Sequence, residues 1–184
     1  MYDREALLAL LKQHALQFGE FVLASGKTAS FYLDCRKVTL HAQGALQVGH
    51  GMLSRLQADF PDTVGGMAIG ADPITASVIT LAAQQDQDLR GFIVRKEAKQ
   101  HGMGRQVEGP VSPGETCVIL EDVVTTGGSS LRAIEHVREF GLEVKGVLAI
   151  VDRLAGGTET FEREGLAFSS LFTIDDLLPD GYSR

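Results

Sequence analysis

Apolar residues along the chain recur at two spacings. Leu7, Leu8, Leu10, Leu11, Leu16 and Phe18 form a stripe of helical period, which predicts a helix over residues 3–18 closed by Gly19. Residues 21–23 and 31–33 read as short strands around a turn at Ser25, Gly26 and Lys27. A second helix is expected over 42–57, with Leu46, Met52, Leu53 and Leu56 facing inward. From there short apolar runs alternate with helical stretches. Residues 64–69 form a strand, and Asp72-Pro73 reads as N-cap and first residue of a helix to about Gln85. Residues 91–95 and 117–120 form further strands. Leu131, Ile134 and Val137 mark a helix stopped at Gly141. Strands over 144–151 and 168–172 complete the pattern.

Short apolar strands alternating with helices imply an α/β fold with a central parallel sheet flanked by helices. The first third alternates less regularly and is expected to form a small subdomain against that sheet. Residues 96–115 break the pattern: polar and rich in glycine (Gly102, Gly104, Gly109, Gly114), they read as a long loop, and such loops in compact domains are usually functional or disordered.

The 184 residues fit one domain of ordinary globular composition. No apolar stretch is long enough for a membrane helix, and the charged first residues lack a signal-peptide core. Cys35 and Cys117 are too few and too far apart for a disulfide framework or a zinc site; small buried residues in a reducing cytoplasm are the simpler expectation. The formal charge of −7 argues against a general nucleic-acid binder. It is unevenly spread. Residues 95–105, RKEAKQHGMGR, hold four Lys or Arg against one Glu. The remaining chain holds 13 basic and 23 acidic groups, so the cations are concentrated where one small anion would be handled.

The strongest chemical signal is Val118-Ile119-Leu120-Glu121-Asp122-Val123-Val124-Thr125-Thr126-Gly127-Gly128-Ser129. A buried strand leads to adjacent carboxylates, a turn of hydroxyl and glycine residues, and a helix. Ligands of open parallel sheets bind beyond the carboxyl ends of the strands. Backbone N–H groups at that helix N-terminus favour a phosphate, and the hydroxyls add donors. The carboxylates suit sugar hydroxyls beside the phosphate. Nucleotide hydrolases also end strands in acids, but the G-x-x-x-x-G-K-[ST] loop they need is absent, as is G-x-G-x-x-G.

This segment resembles, over its whole length, the phosphoribosyl-pyrophosphate (PRPP) motif of type I phosphoribosyltransferases. The resemblance implies Mg²⁺-dependent transfer of ribose 5-phosphate from PRPP to a nitrogen base. Glu121 and Asp122 would bind the ribose hydroxyls, and the segment from Val123 and Val124 through Thr125, Thr126, Gly127, Gly128 and Ser129 would cradle the 5′-phosphate. Arg95-Lys96-Glu97-Ala98-Lys99-Gln100-His101-Gly102 is similar to the catalytic loop of the orotate phosphoribosyltransferases. Residues 25–36, SGKTASFYLDCR, resemble their S-G-x-x-S-x-x-Y-x-D-x-R segment, and Asp152-Arg153 falls where that family carries an orotate-contacting Arg.

The implied roles follow. Arg95, Lys96, Lys99 and His101 would bind PRPP, with Lys99 and His101 catalytic; cations near the departing pyrophosphate stabilise charge that grows as the bond breaks. His101 can act as general acid or as phosphate ligand, and both roles stay open. Arg153, Thr125, Phe31, Tyr32 and Lys27 would contact orotate, although Phe31 and Tyr32 also suit ordinary core. Two departures stand out. Several members carry a lysine before the Ser-Gly pair, where this chain has Ala24, and Asp72 lies in the Gly70–Pro73 loop where some place a lysine against pyrophosphate. No protein ligands to Mg²⁺ are assigned; PRPP oxygens and water form its expected shell.

The resemblance further implies a homodimer whose 96–109 loop completes the neighbouring site. It also implies one phosphoribosyltransferase domain over 1–184 with nothing fused to it, residues 1–40 and part of the C-terminus forming a hood. A role in pyrimidine biosynthesis without nucleic-acid or membrane partners is expected. The alternatives are transfer to another base and a PRPP-binding regulator. Arg153 and the basic loop weigh against neutral purines, and no broad basic face supports a regulator.

Overall fold

A computed structural model describes residues 1–22, 28–97, 106–179 and 181–182. The chain opens with helix α1, Arg4–Leu10, capped by the Asp3 carboxylate, which accepts from the Ala6 N–H at 3.0 Å. The helix does not run to residue 18. One π-helical turn, Leu11–Ala15, follows, and Leu16 is already extended (φ −87°, ψ 130°). Strand β1, Leu16–Val22, pairs antiparallel with β2, Thr28–Leu33, setting Leu16 opposite Leu33 and Phe18 opposite Phe31. The Ala15 carbonyl, which would continue the helix, accepts from the Asp34 N–H at 2.9 Å. Nonlocal pairing therefore overrides a local period that suits helix and strand alike. Gly19 falls in the bulge between Phe18 and Phe21 rather than at a helix end.

Helix α2, Arg36–Thr39, and α3, Ala42–Leu56, lead to the main sheet. The α3 face buries Val48, Met52, Leu53 and Leu56, while Leu46 is turned to the surface. Strand β3, Thr63–Met67, stops short of residue 69, leaving Ile69 exposed in the loop that follows; the Ala68–Ile69 peptide there is cis. Helix α4, Asp72–Ala83, starts one residue early. Ala71 already has helical dihedrals, so Asp72 lies inside the first turn and makes no cap hydrogen bond. Strands β4, Arg90–Val94, and β5, Val107–Glu108, are antiparallel neighbours. Strand β6, Thr116–Val124, helix α5, Gly128–Phe140, strand β7, Glu143–Asp152, helix α6, Gly157–Arg163, strand β8, Ala167–Thr173, and α7, Ile174–Leu177, complete the chain.

The six strands lie in the order β5-β4-β3-β6-β7-β8, parallel except for β5. Alternate residues feed two cores. Val118 and Leu120 pack with Met52, Leu53, Ile74 and Val78 from α3 and α4; Ile119 packs with Ile134 and Val137 of α5 and Phe161 of α6. Each such fully buried side chain contributes about 1.5–3 kcal/mol of burial. Cys35 and Cys117 are free and fully buried within these cores. The parallel strands send their carboxyl ends, and the loops after β3, β4, β6 and β7, to one edge of the sheet. Among the described residues no helix is long and apolar enough to cross a membrane.

Candidate active site

Strand β6 runs through the acids instead of ending before them: Glu121 pairs opposite Ala149 of β7, and the two carboxylates differ in environment. Glu121 is 5% exposed, and its Oε2 accepts from Ser130 Oγ at 3.0 Å. Burial first, and the neighbouring Asp122 charge second, push its carboxyl up to about 8. Asp122 is half-buried, with Oδ1 accepting from the Val123 N–H at 2.8 Å. The turn that follows enters α5 through Gly127, whose φ of +84° is left-handed; a Cβ there would also lie 3.0 Å from the Phe161 ring. The first N–H groups of α5 have no intrahelical acceptor and remain for a ligand.

Three adjoining cavities meet at Thr125. One of about 310 Å³ is formed by the turn itself, from Val123 to Ser130, with Glu121 and Arg132. A second, about 350 Å³, is lined by Glu121, Asp122, Lys96, Arg36 and the 68–70 loop. A third, about 660 Å³ and mainly apolar, lies between the β1–β2 hairpin and the loop after β7, with Phe31, Arg153, Leu154 and Ile174 in its wall. Gly70 approaches Asp122 closely: a Cβ there would sit 3.0 Å from Asp122 Oδ1.

Arg153 links the second and third cavities. Its guanidinium lies 4.8 Å from the Phe31 ring centroid, and burial lowers its pKa. The loop that presents it is tightly fixed. The Arg153 N–H donates to Val124 O at 2.8 Å, and the buried Asp152 carboxylate accepts from the Leu154 N–H at 2.8 Å, with Leu154 at φ +53°. Among the described residues Arg153 has no carboxylate partner. A half-buried cation over an aromatic face, in an otherwise apolar cavity, matches a flat anion.

The expected site residues are thus brought together in part. Glu121, Asp122, Thr125, Ser129, Tyr32, Lys96 and Arg153 line the second cavity; Val123, Val124, Thr126, Gly127 and Gly128 form the turn. Phe31 and Tyr32 alternate along β2: Phe31 faces the third cavity and Tyr32 the second, so they do not share one wall. Arg95 lines none of these three cavities. Its guanidinium lies 3.7 Å from Glu108 on β5, and its N–H donates to Gln106 O at 2.8 Å. Lys27, Lys99 and His101 lie outside the described residues. Sequence reasoning missed Ser130, the donor to Glu121, and Arg36 with Asp34; the D-x-R end of residues 25–36 was the available signal for the latter two.

Fold and site define a parallel α/β protein with a glycine-rich turn and two carboxylates at the carboxyl edge of its sheet. Residues 42–169 match the model of the phosphoribosyl transferase domain. The chain is 59% identical to an orotate phosphoribosyltransferase of Rhodopirellula baltica over 95% of its own length and 93% of the relative's. It is 42% identical to that of Aquifex aeolicus over 97% and 99%. The structure superposes on the orotate phosphoribosyltransferase of Mycobacterium tuberculosis with a TM-score of 0.83, 37% identity, and 95% and 98% of the two chains covered. The same enzyme solved with PRPP gives 0.79, at 31% identity and 95% and 98% coverage. The chain belongs to the orotate phosphoribosyltransferase family.

Proposed function

We propose that this protein transfers ribose 5-phosphate from PRPP to orotate, giving orotidine 5′-monophosphate and pyrophosphate, a step of pyrimidine biosynthesis in the cytoplasm. The carrying observation is the position of Arg153, held over Phe31 between the apolar cavity and the acid-lined one. The 5′-phosphate occupies the Thr125–Ser129 turn, the ribose hydroxyls meet Asp122 and Glu121, and the pyrophosphate lies toward Lys96. Orotate enters the apolar cavity with its carboxylate on Arg153. The C1–O bond breaks with its electron pair leaving on pyrophosphate, N1 of the base forms the new bond to C1, and the N1 proton is released. Lys99 and His101 serve the departing pyrophosphate.

The donor set fits hydrated Mg²⁺. Asp122 Oδ1 already accepts from the Val123 N–H, and Glu121 is drawn toward its neutral form, so Mg²⁺ would be held mainly through PRPP oxygens and water. Bound so, Mg²⁺ would supply positive charge that offsets the charge growing on the leaving group. Residues 1–184 work as one domain. Its hood is residues 1–40 with part of the C-terminus, where Tyr182 packs on Phe18 and Phe31 of the β1–β2 hairpin and donates to Ser30 O at 3.2 Å. The working unit is a homodimer in which the 96–109 loop completes the neighbouring site. An absorbance assay with PRPP, Mg²⁺ and orotate, run beside adenine, hypoxanthine and uracil, tests the reading. Turnover of orotate alone is expected; turnover of a purine without orotate would refute it.

A further inference from the structure

We propose that Arg36 binds the pyrophosphate group of PRPP and that Asp34 is the positioning residue that aims it; this rests on the PRPP reading of the site. The loop after β3, whose Ala68, Ile69 and Gly70 form one wall of the acid-lined cavity, supplies no cation: its residues are Ala68, Ile69, Gly70 and Ala71. Of the cations that do line that cavity among the described residues, Arg153 is engaged over Phe31, which leaves Lys96 and Arg36.

Arg36 is built as a fixed fork. Asp34 Oδ1 accepts from its Nε at 2.8 Å and Oδ2 from its Nη2 at 3.1 Å. Asp34 is itself anchored. Its N–H donates to Ala15 O at 2.9 Å, its Oδ1 also accepts from the Arg36 N–H at 3.2 Å, and its side chain is 16% exposed. The guanidinium side chain is 48% exposed, and among the described residues Asp34 is its only hydrogen-bond partner. Of the five N–H donors of an arginine, those on Nη1 and the second on Nη2 remain for a ligand. An exposed ion pair alone adds little stability. A guanidinium already ordered by a carboxylate, inside a cavity that also holds Lys96, loses little freedom when it meets a phosphate group bidentately.

The test compares wild type with Arg36→Ala, Arg36→Lys and Asp34→Asn by calorimetric titration with two ligands, Mg²⁺-pyrophosphate and ribose 5-phosphate. Arg36→Ala should weaken pyrophosphate by about tenfold or more, as expected for a charged hydrogen-bonded pair. Arg36→Lys should recover only part of that, since a point charge lacks the fork, and Asp34→Asn should fall between Arg36→Ala and wild type. Ribose 5-phosphate, held by the Thr125–Ser129 turn and the acids, should stay within twofold in all three. In turnover, Arg36→Ala should raise the KM for PRPP and leave that for orotate unchanged. Pyrophosphate affinity within twofold of wild type in Arg36→Ala would overturn the assignment. So would an equal loss of both ligands, which would make Arg36 part of the scaffold. Because the titrations contain no base, they remain decisive even if orotate is not the acceptor.

Discussion

Glu121→Gln isolates the cost of holding a carboxylate inside the sheet. The carboxyl rises from its ordinary 4.5 to about 8, chiefly through burial and then through Asp122. A raised folded-state pKa favours folding while the group stays protonated. That contribution is complete below pH 4.5, shrinks once the unfolded chain ionises, and is lost as pH passes about 8. At about 1.36 kcal/mol per pKa unit, the shift caps the loss at about 5 kcal/mol. Glutamine keeps an oxygen for the Ser130 hydroxyl and never ionises. The variant should therefore match wild type at pH 5 to within about 1 kcal/mol and exceed it by about 2–5 kcal/mol at pH 9. For a chain of this size that is a Tm advantage of roughly 5–15 °C at the higher pH. Thermal and urea unfolding of both proteins at half-unit pH steps supplies the measurement; groups that titrate alike in the two proteins cancel in the difference. A stability difference independent of pH would refute the reasoning, because it would mean Glu121 is ionised throughout or paid for by contacts that glutamine lacks.

Arg153→Ala should raise the KM for orotate by about 10- to 150-fold, the loss of one charged hydrogen-bonded contact, and leave the KM for PRPP unchanged in steady-state kinetics. Lys99→Ala should lower kcat by about 10²-fold or more with folding intact, as for removal of one charge-stabilising donor. Mixed dimers of Lys99→Ala and Asp122→Asn subunits, each inactive alone, should regain partial activity if sites are shared; verified mixed dimers without activity would refute sharing. Gly127→Ala forces a side chain into a left-handed turn and to within 3.0 Å of Phe161. It should cost about 1–3 kcal/mol and weaken ribose 5-phosphate, both readable in melting curves with and without that ligand.

What could be read from the chain, and what could not, follows the range of the interactions involved. Strands β6 and β7 were legible because a parallel strand covered on both faces reads as a near-continuous apolar run, as Cys117–Leu120 and Gly146–Val151 do. The acid-to-serine segment was legible because its residues are contiguous and each type has its own chemical task. The switch at Leu16 was not legible: the spacing of residues 11, 15, 16 and 18 suits helix and strand, and only pairing with β2 decides. Strand β5 has two residues and no period to detect, yet it carries Glu108, which lies 3.7 Å from the Arg95 guanidinium. Arg36 shows the same dependence from the other side. In one dimension it is a basic residue two positions after an aspartate. In the fold, the Ala15 carbonyl fixes Asp34, Asp34 fixes the guanidinium, and the loop after β3 leaves the cavity wall without a cation of its own. The Asp34–Arg36 pair is local and shows in the D-x-R spacing, but the Ala15 carbonyl and the wall of the loop after β3 come from separate elements, so the sequence marks Arg36 as available while the tertiary structure gives it a place to act.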